Sequence, residues 1–231
     1  LRLPRLDGFV VHAQPRTSTA GGLCVLVRSS LYSGPVSGTP STPCCEMQQV
    51  TVGVDCGGSN AEQKLASNSI TFVNCYFSRG FDQAADLFEE AVLPRRSVVL
   101  GDMNAHAPDW LEDSDTRGGG DALKLWADTE GFAVCNNTRV ATRSDQQARR
   151  SGSSSPDVTF ARGATVRDWA AHAALDLSDH HVVTFTVEWG TNAATAPDRP
   201  GRGSYNWAKA DLPLYRKTAK KAFKKCRRLR P

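Results

Sequence analysis

Apolar residues fall in short runs separated by polar and turn-forming residues, and the spacing within each run predicts what it becomes. Alternating or unbroken apolar runs at 22–28, 49–54, 69–77, 97–101, 132–135, 156–161 and 181–188 have the length and β-branched content of strands. Helical spacing replaces strand spacing twice. Asp82 is a candidate N-cap for a helix over 82–93, with Phe81 before it as a staple and Pro94 as a stop. A second helix is predicted over 121–130, with Gly131 in the C′ position. The elements interleave without strict βαβ alternation, so two packed sheets flanked by helices fit better than one doubly wound sheet.

Punctuation divides the chain into three parts. Residues 1–190 read as one domain. Thr, Ala, Pro and Gly gather over 191–204 as a linker. Residues 205–231 set Trp207, Leu214 and Phe223 among basic residues, a pattern for a basic amphipathic helix broken near Pro213. No apolar run is long enough for a membrane-spanning helix, so no membrane partner is expected. The opening Leu1-Arg2-Leu3-Pro4-Arg5 carries neither an initiator Met nor a signal-peptide core, and reads as a cut from something longer.

The net charge of +4 hides a division of sign: residues 201–231 hold eleven of the 28 Lys and Arg and one acid, Asp211, leaving the first 200 residues net acidic. Such a tail is either a solvated end or a phosphate contact leading into another domain. The seven cysteines, Cys24, Cys44, Cys45, Cys56, Cys75, Cys135 and Cys226, include no C-x-x-C spacing, which argues against a zinc site or a disulfide framework. Cys24, Cys75 and Cys135 sit in apolar runs and read as small hydrophobes, as in a reducing compartment.

Three segments carry candidate chemistry. The apolar Ser97-Val98-Val99-Leu100 ends in Gly101-Asp102-Met103-Asn104, which puts a carboxylate and an amide on one side at a strand's C-terminal edge. Leu177-Ser178-Asp179-His180-His181 places an acid beside an imidazole just ahead of a strand, a pattern for a metal ligand with a general base. In Ser155-Pro156-Asp157-Val158-Thr159-Phe160 one carboxylate interrupts an apolar strand and needs a partner; His180 is the candidate, because a carboxylate on one ring nitrogen fixes the tautomer of the other. Each segment taken alone also suits an ordinary turn or surface.

Taken in order, Gly101-Asp102-Met103-Asn104-Ala105-His106 with Trp110, Ser155-Pro156-Asp157-Val158-Thr159-Phe160, and Ser178-Asp179-His180 resemble the motifs of the endonuclease/exonuclease/phosphatase superfamily. Within it, they are most similar to the apurinic-endonuclease-like domains of non-LTR, LINE-type retrotransposons, and Asn74-Cys75-Tyr76 matches a further motif. The resemblance implies a DNase I-like α/β fold, a four-layered sandwich of two mixed β-sheets between α-helices.

It further implies that Asp102 and Asn104 position water and phosphate, that His180 held by Asp157 is the general base or transition-state stabiliser, and that Tyr76 donates to the phosphate. Asp179 would contribute to a Mg²⁺ (or Mn²⁺) site. The family's first-strand Asn and its Glu ligand, with the first strand itself, are expected to lie upstream of Leu1. Arg143, Arg149, Arg150, His106 and Ser178 are candidate DNA contacts.

The function so implied is a DNA endonuclease, monomeric as a domain, acting in the nucleus. It would leave a 3′-hydroxyl for the reverse transcriptase region of the same polyprotein, towards which Tyr205-Asn206-Trp207-Ala208-Lys209-Ala210-Asp211 resembles the connecting segment. Two rivals are an abasic-site or inositol-phosphate phosphoesterase of the same superfamily, and a catalytically inactive remnant that binds nucleic acid through its basic tail.

Overall fold

The two longest strands, residues 45–53 and 69–77, lie side by side in a six-stranded sheet, and the first begins four residues before the apolar run expected over 49–54. The computed structural model describes residues 6–15, 22–53, 69–144, 153–172 and 178–189. The expected linker and basic segment, and Arg149 and Arg150, lie outside these residues. In chain order the strands are β1 (Phe9–Pro15), β2 (Gly22–Arg28), β3 (Tyr32–Pro35), β4 (Cys45–Gly53), β5 (Ser69–Phe77), β6 (Ser97–Asp102), β7 (Ala133–Val134), β8 (Asp157–Arg162), β9 (Thr165–His172) and β10 (Val182–Glu188). Helix α1 (Ala85–Glu90) follows a 3₁₀ turn (Phe81–Gln83), and helix α2 (Gly120–Thr129) precedes β7.

The large sheet has the order β3-β4-β5-β6-β8-β7, and β1–β2 and β9–β10 form two separate antiparallel hairpins. Within the large sheet β5 and β6 are parallel and the other pairs antiparallel. Period-2 geometry sends alternate side chains to opposite faces. Val73, Cys75, Phe77, Val99, Val158 and Phe160 enter the main core with Phe88, Trp110 and Leu123. There Trp126 meets Phe88 edge-on at 4.6 Å and stacks on Phe132 at 5.3 Å. Each such ring taken fully out of water contributes roughly 1.5–3 kcal/mol.

On the opposite face both hairpins cover part of the sheet: Val50 and Val52 pack on Val27, while Ile70, Val98 and Ala161 pack with Val166, Phe185 and Val187. The expected mixed-sheet sandwich is therefore present. Among the described residues its second layer is two hairpins, and helices cover only the first.

Local departures have local causes. Asp82 does not cap a helix: it lies in the 3₁₀ turn, which is tied down by Phe81 N–H bonding to Gly118 O at 2.8 Å, and α1 starts later with no side-chain cap. Helix α2 ends as expected, since Gly131 has φ 72° and Phe132 N–H reaches Ala127 O at 2.7 Å while Gly131 N–H reaches Asp128 O at 3.1 Å.

Three strands lack a clean sequence signal. β1 carries no sustained alternation, β3 reads as a turn because its Gly34 and Pro35 suit only an edge, and β9 is broken by a bulge at Asp168, whose φ is 54°. Cys45 and Cys75 are buried, whereas Cys24, expected to be a core hydrophobe, faces solvent because β2 turns Leu23 and Val27 inward. No helix among the described residues is long and apolar enough to cross a membrane.

Candidate active site

Strand register brings the candidate residues together. Glu46 pairs with Tyr76, Tyr76 with Asp102, and Asp102 with Asp157, so four polar side chains form one row across β4, β5, β6 and β8 on the hairpin face. The next row is Gln48, Asn74, Leu100 and Thr159, and the one after is Val50, Phe72, Val98 and Ala161. Polarity thus rises towards one edge, and the hairpins pack on the apolar rows.

Asp157 opens β8 and accepts two hydrogen bonds on Oδ2, from Thr142 Oγ1 at 2.7 Å and from His180 Nδ1 at 2.8 Å. A carboxylate can only accept, so Nδ1 carries the proton and the neutral ring presents a lone pair at Nε2. That nitrogen lies 3.9 Å from Asp102 Oδ2. The hydrogen bond to Asp157 raises the pKa of His180 against the opposing effect of burial. Asp102 is also raised, chiefly by burial and then by the charge of Asp157 opposite, although the Asn104 N–H donates to its Oδ1 at 3.1 Å. Asn104 has φ 44°, and its Nδ2 donates to Phe77 O at 2.7 Å, which fixes the amide at the end of β5.

The loop carrying His180 is built from its own residues. Ser178 Oγ accepts the His180 N–H at 3.0 Å, so this hydroxyl shapes the turn. Asp179 points elsewhere: its Oδ2 takes both Nε (2.7 Å) and Nη2 (2.6 Å) of Arg143, and that bond holds its carboxyl below the usual range. Arg143 itself bridges Ser154 on one side and His180 on the other. His106 bridges Arg117 beyond Asn104; burial first, then the charges of Arg117 and Arg143, push it down to about 4.

Thr142 escaped the sequence reading. It is fully buried, and its Oγ1 donates to Asp157 Oδ2 while accepting the Asp157 N–H at 3.2 Å. No motif surrounds it; its signal is spatial, because strand-like bonding of 142–144 to Ser154, Asp179 and His181 joins the Asp157 and His180 loops. Glu46 also escaped, although a Glu-x-Gln step breaking an apolar strand marks it. Thr142→Val is expected to cost roughly 1–3 kcal/mol in urea unfolding, from the buried polar groups left behind, and Thr142→Ser to recover most of it. An unchanged midpoint in the valine variant would remove Thr142 from this network.

Against known proteins, the family model described as endonuclease-reverse transcriptase matches residues 70–184, from β5 into β10. The chain belongs to this endonuclease family. It is similar to the endonuclease domain of TRAS1, a telomere-specific non-LTR retrotransposon, with a TM-score of 0.62 and 18% identity over 79% of this chain and 81% of that one. An endonuclease/exonuclease/phosphatase from Beutenbergia cavernae aligns with a TM-score of 0.45 and 18% identity, over 73% of this chain and 48% of that one. No curated protein matches the chain. Membership supports a hydrolase of nuclease type on a DNase I-like fold.

Nucleases of this superfamily generally use divalent metal ions. Carboxylate oxygens such as those of Asp102 suit a hard cation in kind, but among the described residues no three His, Cys, Asp or Glu side chains converge closely enough to chelate one. Asp179 is engaged by Arg143. The described residues do not by themselves complete such a site.

Proposed function

We propose that this endonuclease domain nicks duplex DNA by hydrolysing one phosphodiester, leaving a 3′-hydroxyl from which the reverse transcriptase region of its polyprotein primes synthesis in the nucleus. The observation that carries the reading is the Asp157–His180–Asp102 arrangement, with Nδ1 of the ring on Asp157 Oδ2 and Nε2 lying 3.9 Å from Asp102 Oδ2 in the polar row. Water adds to phosphorus as the P–O3′ bond breaks. The water proton passes to His180 Nε2, whose affinity for it is enhanced by Asp157, and the departing O3′ takes a proton from solvent to become the 3′-hydroxyl. Asn104 and Tyr76 supply donors for the phosphate oxygens, and Asp102 orients the water. Dependence on Mg²⁺ (or Mn²⁺) belongs to the same reading.

The test is conversion of supercoiled plasmid to relaxed circles by the purified protein. Nicking is expected with Mg²⁺ and not with chelator present, and a polymerase should extend the nick. Asp102→Asn is expected to abolish nicking and at the same time to raise stability by about 1 kcal/mol near neutral pH. The sign follows from linkage: a carboxyl whose folded pKa is raised loses its stabilising contribution as pH rises through that value, so a neutral amide is the better folded partner above it. Binding of DNA without nicking under these conditions would replace the enzyme reading with that of a nucleic-acid-binding remnant.

A further inference from the structure

We propose that Arg117, flanked by His106, forms a second anion subsite that takes a phosphate of the DNA strand beside the scissile one. This rests on the nuclease reading and deepens it. His106 lies two residues beyond Asn104, and its backbone pairs with that of Arg117 in both directions, His106 N–H to Arg117 O at 2.9 Å and Arg117 N–H to His106 O at 3.1 Å.

The residues that follow lock this pairing. A Cβ on Gly118 would fall 2.3 Å from Asn104 O, and one on Gly120 only 1.9 Å from His106 O. Backbone therefore lies on backbone, and Arg117 is carried by the same rigid loop that positions Asn104.

Arg117 is exposed, and among the described residues no carboxylate pairs with its guanidinium, whereas Arg143, Arg139, Arg162 and Arg167 each have one. Beside it, His106 keeps Nδ1 buried without a hydrogen-bond partner. The charges of Arg117 and Arg143 both act on this ring, and the charge of Arg143 also acts on Asp102, which sets His106 and Asp102 in one electrostatic field. An uncompensated planar guanidinium beside a neutral imidazole is suited to a phosphodiester anion. Because it would hold a phosphate that does not react, the subsite contributes equally to ground state and transition state.

The experiment measures duplex oligonucleotide affinity by anisotropy over a salt series, in a His180→Ala background that binds without cutting. Arg117→Ala should reduce the slope of log affinity against log salt by about 0.9, Arg117→Lys should keep it, and Arg167→Ala, on the paired Arg of β9, should leave it unchanged. With His180 intact, Arg117→Ala should raise KM and leave kcat within about twofold. DNA binding by the parent with the slope unmoved in Arg117→Ala overturns the subsite and leaves the nuclease reading intact; no binding by the parent overturns both.

Discussion

His180→Ala is expected to slow plasmid nicking by roughly 10²–10⁴-fold, the usual contribution of a positioned acid–base group, while changing the unfolding midpoint little. The ring is about 29% exposed, so its removal leaves no large cavity. Asp157→Asn makes the finer test. The bond from Nδ1 to Asp157 is the first cause of the raised His180 pKa, so loss of the carboxylate should let that pKa fall. A general base works when neutral, and activity should therefore rise with pH through the His180 pKa. In Asp157→Asn this acid limb should move to lower pH with a lower plateau.

Stability should run the other way. A histidine raised by its partner stabilises the fold below its unfolded pKa and loses that contribution as pH rises through the folded value. The parent's advantage over Asp157→Asn in urea unfolding should accordingly be larger at acidic than at neutral pH. An acid limb that stays in place in Asp157→Asn would separate His180 from the proton transfer.

The same residues mark where sequence is informative and where it is not. The apolar pattern placed β2 and β5 to the residue, β2 by alternation around buried Leu23 and Val27 and β5 as a nine-residue, mostly apolar run. It passed over β9, where the bulge at Asp168 breaks the period, and β3, whose Gly34 and Pro35 carry turn chemistry into an edge strand. Asp102, Asn104, Asp157 and His180 were legible because each is a polar residue set against an apolar strand, and the fold brings them within one neighbourhood. Thr142 was illegible: a threonine between Ala141 and Arg143 has no distinguishing context, and its role exists only once two distant loops meet on it. Asp179 shows the opposite limit. Its sequence setting suggested a ligand, and only the fold sets Arg143 against it.

Gly101→Ala is expected to destabilise the domain by roughly 2–6 kcal/mol, adding the strain of a side chain at positive φ to that of overpacking. Gly101 has φ 137°, and a Cβ there would lie 2.0 Å from Cys75 O and 2.9 Å from Cys75 C. The obstacle is backbone of the adjacent parallel strand, not the flexible end of a side chain, so it cannot swing away. Relief requires β6 to shift off β5 at the Cys75–Gly101 pair, immediately before the Tyr76–Asp102 pair of the polar row. Two consequences should therefore appear together: a fall in Tm of more than about 5 °C, and loss of nicking even at temperatures where the variant remains folded. A Tm within about 2 °C of the parent would show that β5 and β6 can separate freely at this point, and the close approach would then not be what fixes Asp102 beside Tyr76.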